Sequence, residues 1–166
     1  MLGISQIVAY GALFYAFAPL KAHIATLLNT SEALVMTILS LAIVTQALLT
    51  PLVGSWADRF GALTVLKIGF LLGACGFFGL GALELDPLTS LYWLGFCFVL
   101  IGIGLAMSTY EVAFSAAVQF DEINSRKNIS IISFYGGIAS TLTWISIYPL
   151  ISLVGLFYAC LVLAFV

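Results

Sequence analysis

The chain has 166 residues, of which 63% are apolar and 7% are charged, and its mean hydropathy is +1.22. Soluble domains carry roughly 25% charged residues, so five basic and seven acidic side chains are too few to cover a water-facing surface. The net charge of −2 and the lack of a basic stripe argue against a nucleic-acid partner. We therefore expect an integral membrane protein whose surroundings are the lipid bilayer.

Charge-free runs of bilayer length divide the first part of the chain. The first predicted span covers residues 2–20 and is followed by Lys21 and His23. The second covers residues 33–53, and the Asn-Thr-Ser-Glu sequence at 29–32 supplies capping side chains before it. Each run is long enough to cross a hydrocarbon core of about 30 Å at about 1.5 Å per residue.

A short polar turn at residues 54–61 is predicted to lead into a third span at 64–83. The acidic residues and the proline at 84–87 predict another turn, because proline suits the first turn of a following helix. The fourth span is predicted at 88–117, and the charged segment 121–127 forms the most polar loop.

The segment 129–166 contains no charge and would reach about 57 Å as one helix, nearly twice the core thickness. Three residues are expected to divide it: Pro149, Ser152 and Gly155. We therefore predict a fifth span at 129–148 and a sixth at 150–166, and because no polar exit follows, we expect a truncated C-terminus. The predicted fold is an all-α membrane domain, a single six-helix bundle over residues 1–166.

The basic residues predict the orientation of this bundle. With six alternating spans Lys21 lies on one side, and four basic residues share the other: Arg59, Lys67, Arg126 and Lys127. Lys and Arg prefer cytoplasmic loops, so we expect a multi-pass protein of the cell membrane with a cytoplasmic N-terminus. Small residues let helices approach closely in lipid, and a glycine stripe on the third span predicts such packing: Gly69, Gly73, Gly76 and Gly79.

The turn after the second span contains a motif of glycines and charges, Gly54-Ser55-Trp56-Ala57-Asp58-Arg59-Phe60-Gly61. It resembles the loop between helices two and three of the major facilitator superfamily, with the pattern G-x-L-A-D-R-x-G-R-R/K. Five positions match: Gly54, Ala57, Asp58, Arg59 and Gly61. Trp56 replaces the usual leucine, and Ala62 and Leu63 replace the two basic residues. The stretches beginning at Tyr10, Tyr110 and Gly136 are also similar to bacterial members.

The resemblance implies the N-terminal six-helix half of a transporter, built from two inverted three-helix repeats. Residues 10–17 and 110–117 share Tyr, Phe and Ala at a spacing of 100, as such a repeat predicts. In this family Asp58 implies a cytoplasmic latch that faces a helix N-terminus of the second half; the alternative is an ordinary interfacial turn. Phe98 replaces an arginine of proton-coupled members, and the Gly-Pro motif of drug antiporters is absent, so drug–proton antiport is not implied.

Five residues are candidates for the solute or ion pathway: Gln6, Tyr10, Ser108, Glu111 and Tyr135. Gln6 and Tyr10 lie one helical turn apart, and Ser108 and Glu111 share a face of the fourth span. A carboxylate in an apolar span must face protein, water or the interface. Glu111 therefore either binds a cation or proton in a cavity or forms an interfacial pair with a loop cation such as Arg126.

The leading functional hypothesis is secondary active transport of a small solute by alternating access, with a second six-helix half as partner. The alternative is a non-transporting membrane protein, such as a degenerate half-transporter or an assembly partner. We expect neither an enzyme nor a bound cofactor or metal, because the sequence offers no nucleophile–base pair or phosphate loop. His23 is the only histidine, and the three cysteines fall inside apolar runs.

Overall fold

The computed structural model describes residues 2–82 and 90–165, and every secondary-structure element in this part of the chain is a helix. In chain order these are α1 (Leu2–Tyr10), a π-helical segment (Gly11–Tyr15), α2 (Phe17–Leu27), α3 (Glu32–Phe60), α4 (Ala62–Gly81), α5 (Ser90–Ser108), α6 (Tyr110–Phe120) and α7 (Ser125–Phe165). The turn predicted at 84–87 lies outside the described residues.

Five stretches are long and apolar enough to cross a membrane: Leu2–Leu27, Glu32–Phe60, Ala62–Gly81, Leu91–Phe120 and Ser125–Ala164. We refer to them as the first to fifth spans. A helical bundle with five such stretches is the architecture of a multi-pass membrane protein, because helices satisfy their backbone hydrogen bonds internally in lipid. The sequence predicted six spans, and the difference lies at the C-terminal end.

The long helix α7 is divided at Gly155, whose φ of 78° and ψ of 175° are non-helical, and Pro149 lies within the helix. Gly155 is one of the three residues expected to divide this segment, and the non-helical backbone lies there, about six residues after the predicted end of the fifth span. Glycine adopts positive φ without steric cost, which explains why the break lies there. The ten residues 156–165 span about 15 Å as a helix, about half of the hydrocarbon core.

The junction between the second and third spans is shorter than predicted. Residues 54–60 belong to α3, and the expected polar turn reduces to Gly61, which has a φ of 87°. A β-carbon would be strained at this φ, although the space around Gly61 is open. At the other end of α3 the Ser31 hydroxyl accepts a hydrogen bond from the Leu34 N–H at 3.2 Å, which confirms the predicted cap.

Glycines bring α4 into close contact with α5. A β-carbon on Gly69 would lie 2.7 Å from the Met107 side chain, and one on Gly104 would lie 2.9 Å from the Gly69 carbonyl oxygen. Gly76 and Gly79 face α5 in the same way. The predicted packing stripe is thus confirmed, and it fixes the fourth span against the third.

Candidate functional site

The first span is irregular between α1 and α2. Gly11–Tyr15 form a π-helix, and the Ala16 N–H donates to the Gly11 carbonyl at 3.0 Å. Gly11 permits a close approach of the fifth span, since a β-carbon there would lie 2.8 Å from the Thr143 hydroxyl oxygen. Single π turns inside α-helices are frequent at functional sites.

The fourth span is interrupted at Thr109, which the sequence analysis did not foresee. Thr109 has a φ of −84° and a ψ of −171°, an extended conformation, and it separates α5 from α6. The hydroxyls of Ser108 and Thr109 donate to the carbonyls of Gly104 and Leu105, and both side chains are buried. Non-helical backbone at membrane depth is tolerated where it is buried in protein or lines a cavity.

Gln6 connects the first span to this interruption. Its Nε2 donates to the Ser108 carbonyl at 2.9 Å, and its side chain is fully buried. The other amide atom, Oε1, has no hydrogen-bond partner within the described residues. A buried acceptor without a donor costs about 1–3 kcal/mol, so this atom marks a place where a donor is expected.

Both irregular segments lie inside their spans, away from the helix ends. Thr109 is eleven residues from the end of α6, or about 16 Å, and Tyr10 is eight residues from the start of α1, or about 12 Å. Leu2 and Phe120 line the same cavity, so these two helix ends lie at one end of the bundle. The contact between the two spans therefore lies about 12–16 Å from this end of the bundle.

An aromatic cluster covers the contact between the first and fourth spans. The rings of Tyr10 and Tyr110 have centroids 4.5 Å apart. Further ring contacts at 5.2–6.4 Å extend the cluster to three more residues: Phe14, Tyr15 and Phe114. The Tyr110 hydroxyl donates to the Ser133 carbonyl at 3.3 Å, which ties the cluster to the fifth span.

Glu111 lies in the first turn of α6, where a negative charge is favourable. The Thr109 hydroxyl, which donates to the Leu105 carbonyl at 2.8 Å, also lies 3.1 Å from Glu111 Oε2. The Glu111 side chain is exposed, and in the described part of the chain it forms no ion pair, either with Arg126 or with any other cation.

A cavity of about 220 Å³ lies between the second and fourth spans, and Glu111 lines it together with Gly54, Asp58 and Ser115. Asp58 and Arg59 are exposed near the end of α3, and the Arg59 guanidinium lies over the Phe60 ring at 5.3 Å. The cavity therefore extends from the end of the bundle that carries Asp58 towards the interruption at Thr109.

Gln119 joins the fourth span to the junction of α3 and α4. Its Oε1 accepts a hydrogen bond from the Ala62 N–H at 2.9 Å, and its Nε2 donates to the Ala57 carbonyl at 3.1 Å. One amide thus binds the last turn of α3 and the first residue of α4. The sequence contains no signal for this contact, because the partners are backbone groups on other helices.

The structure brings four of the five candidate pathway residues to one place: Gln6, Tyr10, Ser108 and Glu111. The Tyr135 ring instead lies against Gly3, one turn before Gln6. The sequence analysis missed Thr109 and Tyr110 as site residues, although a Ser-Thr pair in an apolar run was an available signal. No protein-family model, curated protein or solved structure matches this chain.

Proposed function

We propose that the chain is one half of a secondary active transporter that moves a small solute by alternating access. The observation that carries this proposal is the contact between α1, immediately before the π-helical segment of the first span, and the interruption of the fourth span, made by Gln6 and Tyr10. Discontinuous helices near the membrane centre are typical of transporter binding sites, where free backbone groups and polar side chains face the solute.

The buried polar contact between these spans supports the same proposal. A glutamine at membrane depth is costly unless it has partners, and Gln6 has a partner for its amide nitrogen alone within the described residues. A site that only stabilised the bundle would need no free acceptor. An unpartnered acceptor at the interruption that also carries an exposed carboxylate is instead suited to a solute that donates hydrogen bonds.

The resemblance to the major facilitator superfamily supplies the rest of the proposal. The end of the bundle that carries Asp58 and Arg59 faces the cytoplasmic side of the cell membrane, as the basic residues predict. Asp58 then acts as a latch to a helix N-terminus of a second six-helix half. Its exposed position near the end of α3 leaves the carboxylate free for such a contact.

The test is solute flux with the full-length chain reconstituted in liposomes, using a panel of labelled sugars, amino acids, carboxylates and organic amines. We expect counterflow of at least one class. The variant Gln6→Met lowers the flux about tenfold or more, because the contact with Ser108 is lost. The matched control Gln46→Met, on the second span, stays within about twofold.

Native mass spectrometry of the same preparation determines whether the chain pairs with a second copy or a second protein. A stable monomer with no flux of any solute class contradicts the proposal and favours the non-transporting membrane protein.

A further inference from the structure

The charged side chains that line the cavity of the candidate site are both acidic. Glu111 is exposed at the interruption of the fourth span, and Asp58 lines the same cavity of about 220 Å³. Within residues 2–82 and 90–165 the ion pair that the structure contains joins Lys21 to Glu32 at 3.1 Å, at the opposite end of α3 from Asp58. The site therefore has two carboxylates and no basic partner in the described chain.

An unpaired carboxylate at membrane depth needs a positive charge or a proton. An ionised carboxylate in an apolar span costs a few kcal/mol unless water, protein or a cation faces it. The Thr109 hydroxyl supplies one hydrogen bond to Glu111 but no charge. The positive partner must therefore come from the solution or from the solute.

Aromatic rings flank this carboxylate. The Tyr10 ring contacts the ring of Tyr110, the residue that precedes Glu111 in the chain. Tyr15 and Phe114 extend the aromatic surface. The faces of such rings attract organic cations, and a carboxylate beside them adds direct charge attraction.

In the part of the chain that the structure describes, the hydrogen-bonding atom without a partner at the site is an acceptor, the side-chain oxygen of Gln6. Gln6 Oε1 is a fully buried acceptor with no partner in the described residues, and its amide contacts the same interruption as Glu111. A ligand that donates N–H groups would satisfy this acceptor. A positive charge, N–H donors and an affinity for aromatic faces together describe a protonated amine.

We propose that the solute of this site is an amine-bearing organic cation, whose ammonium group binds between Glu111 and the rings of Tyr10 and Tyr110. This inference rests on the proposed transport function and names its substrate class. The cavity on the Glu111 side limits the ammonium end to a compact group.

The test is binding to the full chain in lipid nanodiscs, measured by isothermal titration calorimetry without any transport step. The probes are phenethylamine, phenethyl alcohol and phenylacetate, which share a ring and a short chain and differ in charge. Choline serves as a second cation. We expect phenethylamine to bind about tenfold or more tightly than the alcohol and the acid.

Matched variants locate the binding. Glu111→Gln keeps the side-chain shape and is expected to weaken phenethylamine binding about tenfold, whereas the loop variant Glu122→Gln leaves it unchanged. Tyr10→Phe retains the ring and most of the affinity, and Tyr10→Leu loses several-fold. If Tyr10→Leu fails to fold, Glu111→Gln and the probe series still decide the question.

The inference is overturned if phenethylamine does not bind, if the alcohol or the acid binds as tightly as phenethylamine, or if Glu111→Gln binds phenethylamine as tightly as the wild type does. Flux of a neutral or anionic solute without amine binding refutes the proposed substrate class but not the proposed transport function. Amine binding without flux refutes transport and leaves the site standing.

Discussion

The first and fourth spans differ from the second because a side-chain hydrogen bond joins them to each other, although hydroxyls in all three spans bond back to their own helix. In the second span the hydroxyls bond back to carbonyls four residues earlier in the same helix: Thr37, Ser40, Thr50 and Ser55. In the first and fourth spans Gln6 instead bonds across to a carbonyl 102 positions away. Burial differs in the same way. In the most apolar stretch of each span, 11% of the stretch is buried for the second span, against 50% and 56% for the first and fourth spans.

This difference shows which spans depart from a straight transmembrane helix. A straight helix with self-satisfied hydroxyls needs no neighbour and tolerates lipid on most of its surface. An interrupted helix needs partners for its backbone and persists where other helices supply them. The two interrupted spans contact each other, and the polar and aromatic residues of the candidate site collect at that contact.

The largest expected effect contrasts a glycine of the fourth span with one of the fifth. Gly104→Leu forces a side chain into the backbone of Gly69 and Gly73, and we expect it to lower the free energy of unfolding by about 3 kcal/mol or more. Gly137 faces open space, so Gly137→Leu stays within about 0.5 kcal/mol. Thermal unfolding in detergent measures both. Equal losses would contradict the close packing of α4 and α5.

A smaller effect is expected at the helix junction held by Gln119. Gln119→Leu removes one hydrogen bond to each of the Ala57 carbonyl and the Ala62 N–H, so we expect a loss of about 2 kcal/mol. Gln46→Leu serves as the matched control and changes stability by less than about 0.5 kcal/mol. Chemical denaturation of both variants measures whether the Gln119 hydrogen bonds stabilise the bundle. Indistinguishable denaturation midpoints would show that they do not.

A third prediction compares two threonines. Thr109→Val removes a buried hydroxyl that donates to Leu105 and contacts Glu111, and we expect a loss of about 1 kcal/mol. Thr37 on the second span makes only a local bond to Ala33 and is exposed, so Thr37→Val changes stability by less than about 0.5 kcal/mol. Unfolding curves of the two variants measure the losses of stability. A larger loss for Thr37→Val than for Thr109→Val would contradict this prediction.

The smallest effect lies in the loop after the fourth span. The side-chain amide and then the backbone N–H of Asn124 hydrogen-bond to Asp121 and hold the pKa of its carboxyl below the ordinary value. A lowered pKa contributes stability above the ordinary carboxyl pKa, which is lost as the pH falls through the lowered value. Asn124→Ala raises the pKa of Asp121, as a pH titration of its NMR carboxyl shift would show; no change would contradict the contact.

Much of the fold is predictable because hydropathy acts over whole segments. Charge-free runs predicted the spans, spacing predicted the glycine stripe, and capping side chains were predicted at residues 29–32, where Ser31 forms the cap. The interruption at Thr109 was not predictable in this way, because one extended residue leaves the composition of an apolar run unchanged. Of the three residues expected to divide the last segment, the backbone breaks at Gly155 and not at Pro149, since proline is tolerated within membrane helices when neighbours satisfy the freed carbonyl.

The candidate site was predictable in its residues but not in its geometry. Helical periodicity placed Gln6 with Tyr10 and Ser108 with Glu111, each pair on one face of its own span. The bond from Gln6 to the Ser108 carbonyl depends on the packing of two spans about 100 positions apart. Gln119 shows the same limit, because its partners are backbone groups that every residue possesses.

The most direct measurement is cysteine reactivity at matched depth, in a chain with Cys75 replaced by alanine. Glu111 and Leu71 each lie nine residues from the helix end at their side of the bundle, and both are exposed. A membrane-impermeant thiol reagent should modify Glu111→Cys, which faces a solute pathway, and leave Leu71→Cys in lipid unmodified. Two equally unreactive cysteines would show that lipid, not a solute pathway, surrounds the interruption of the fourth span.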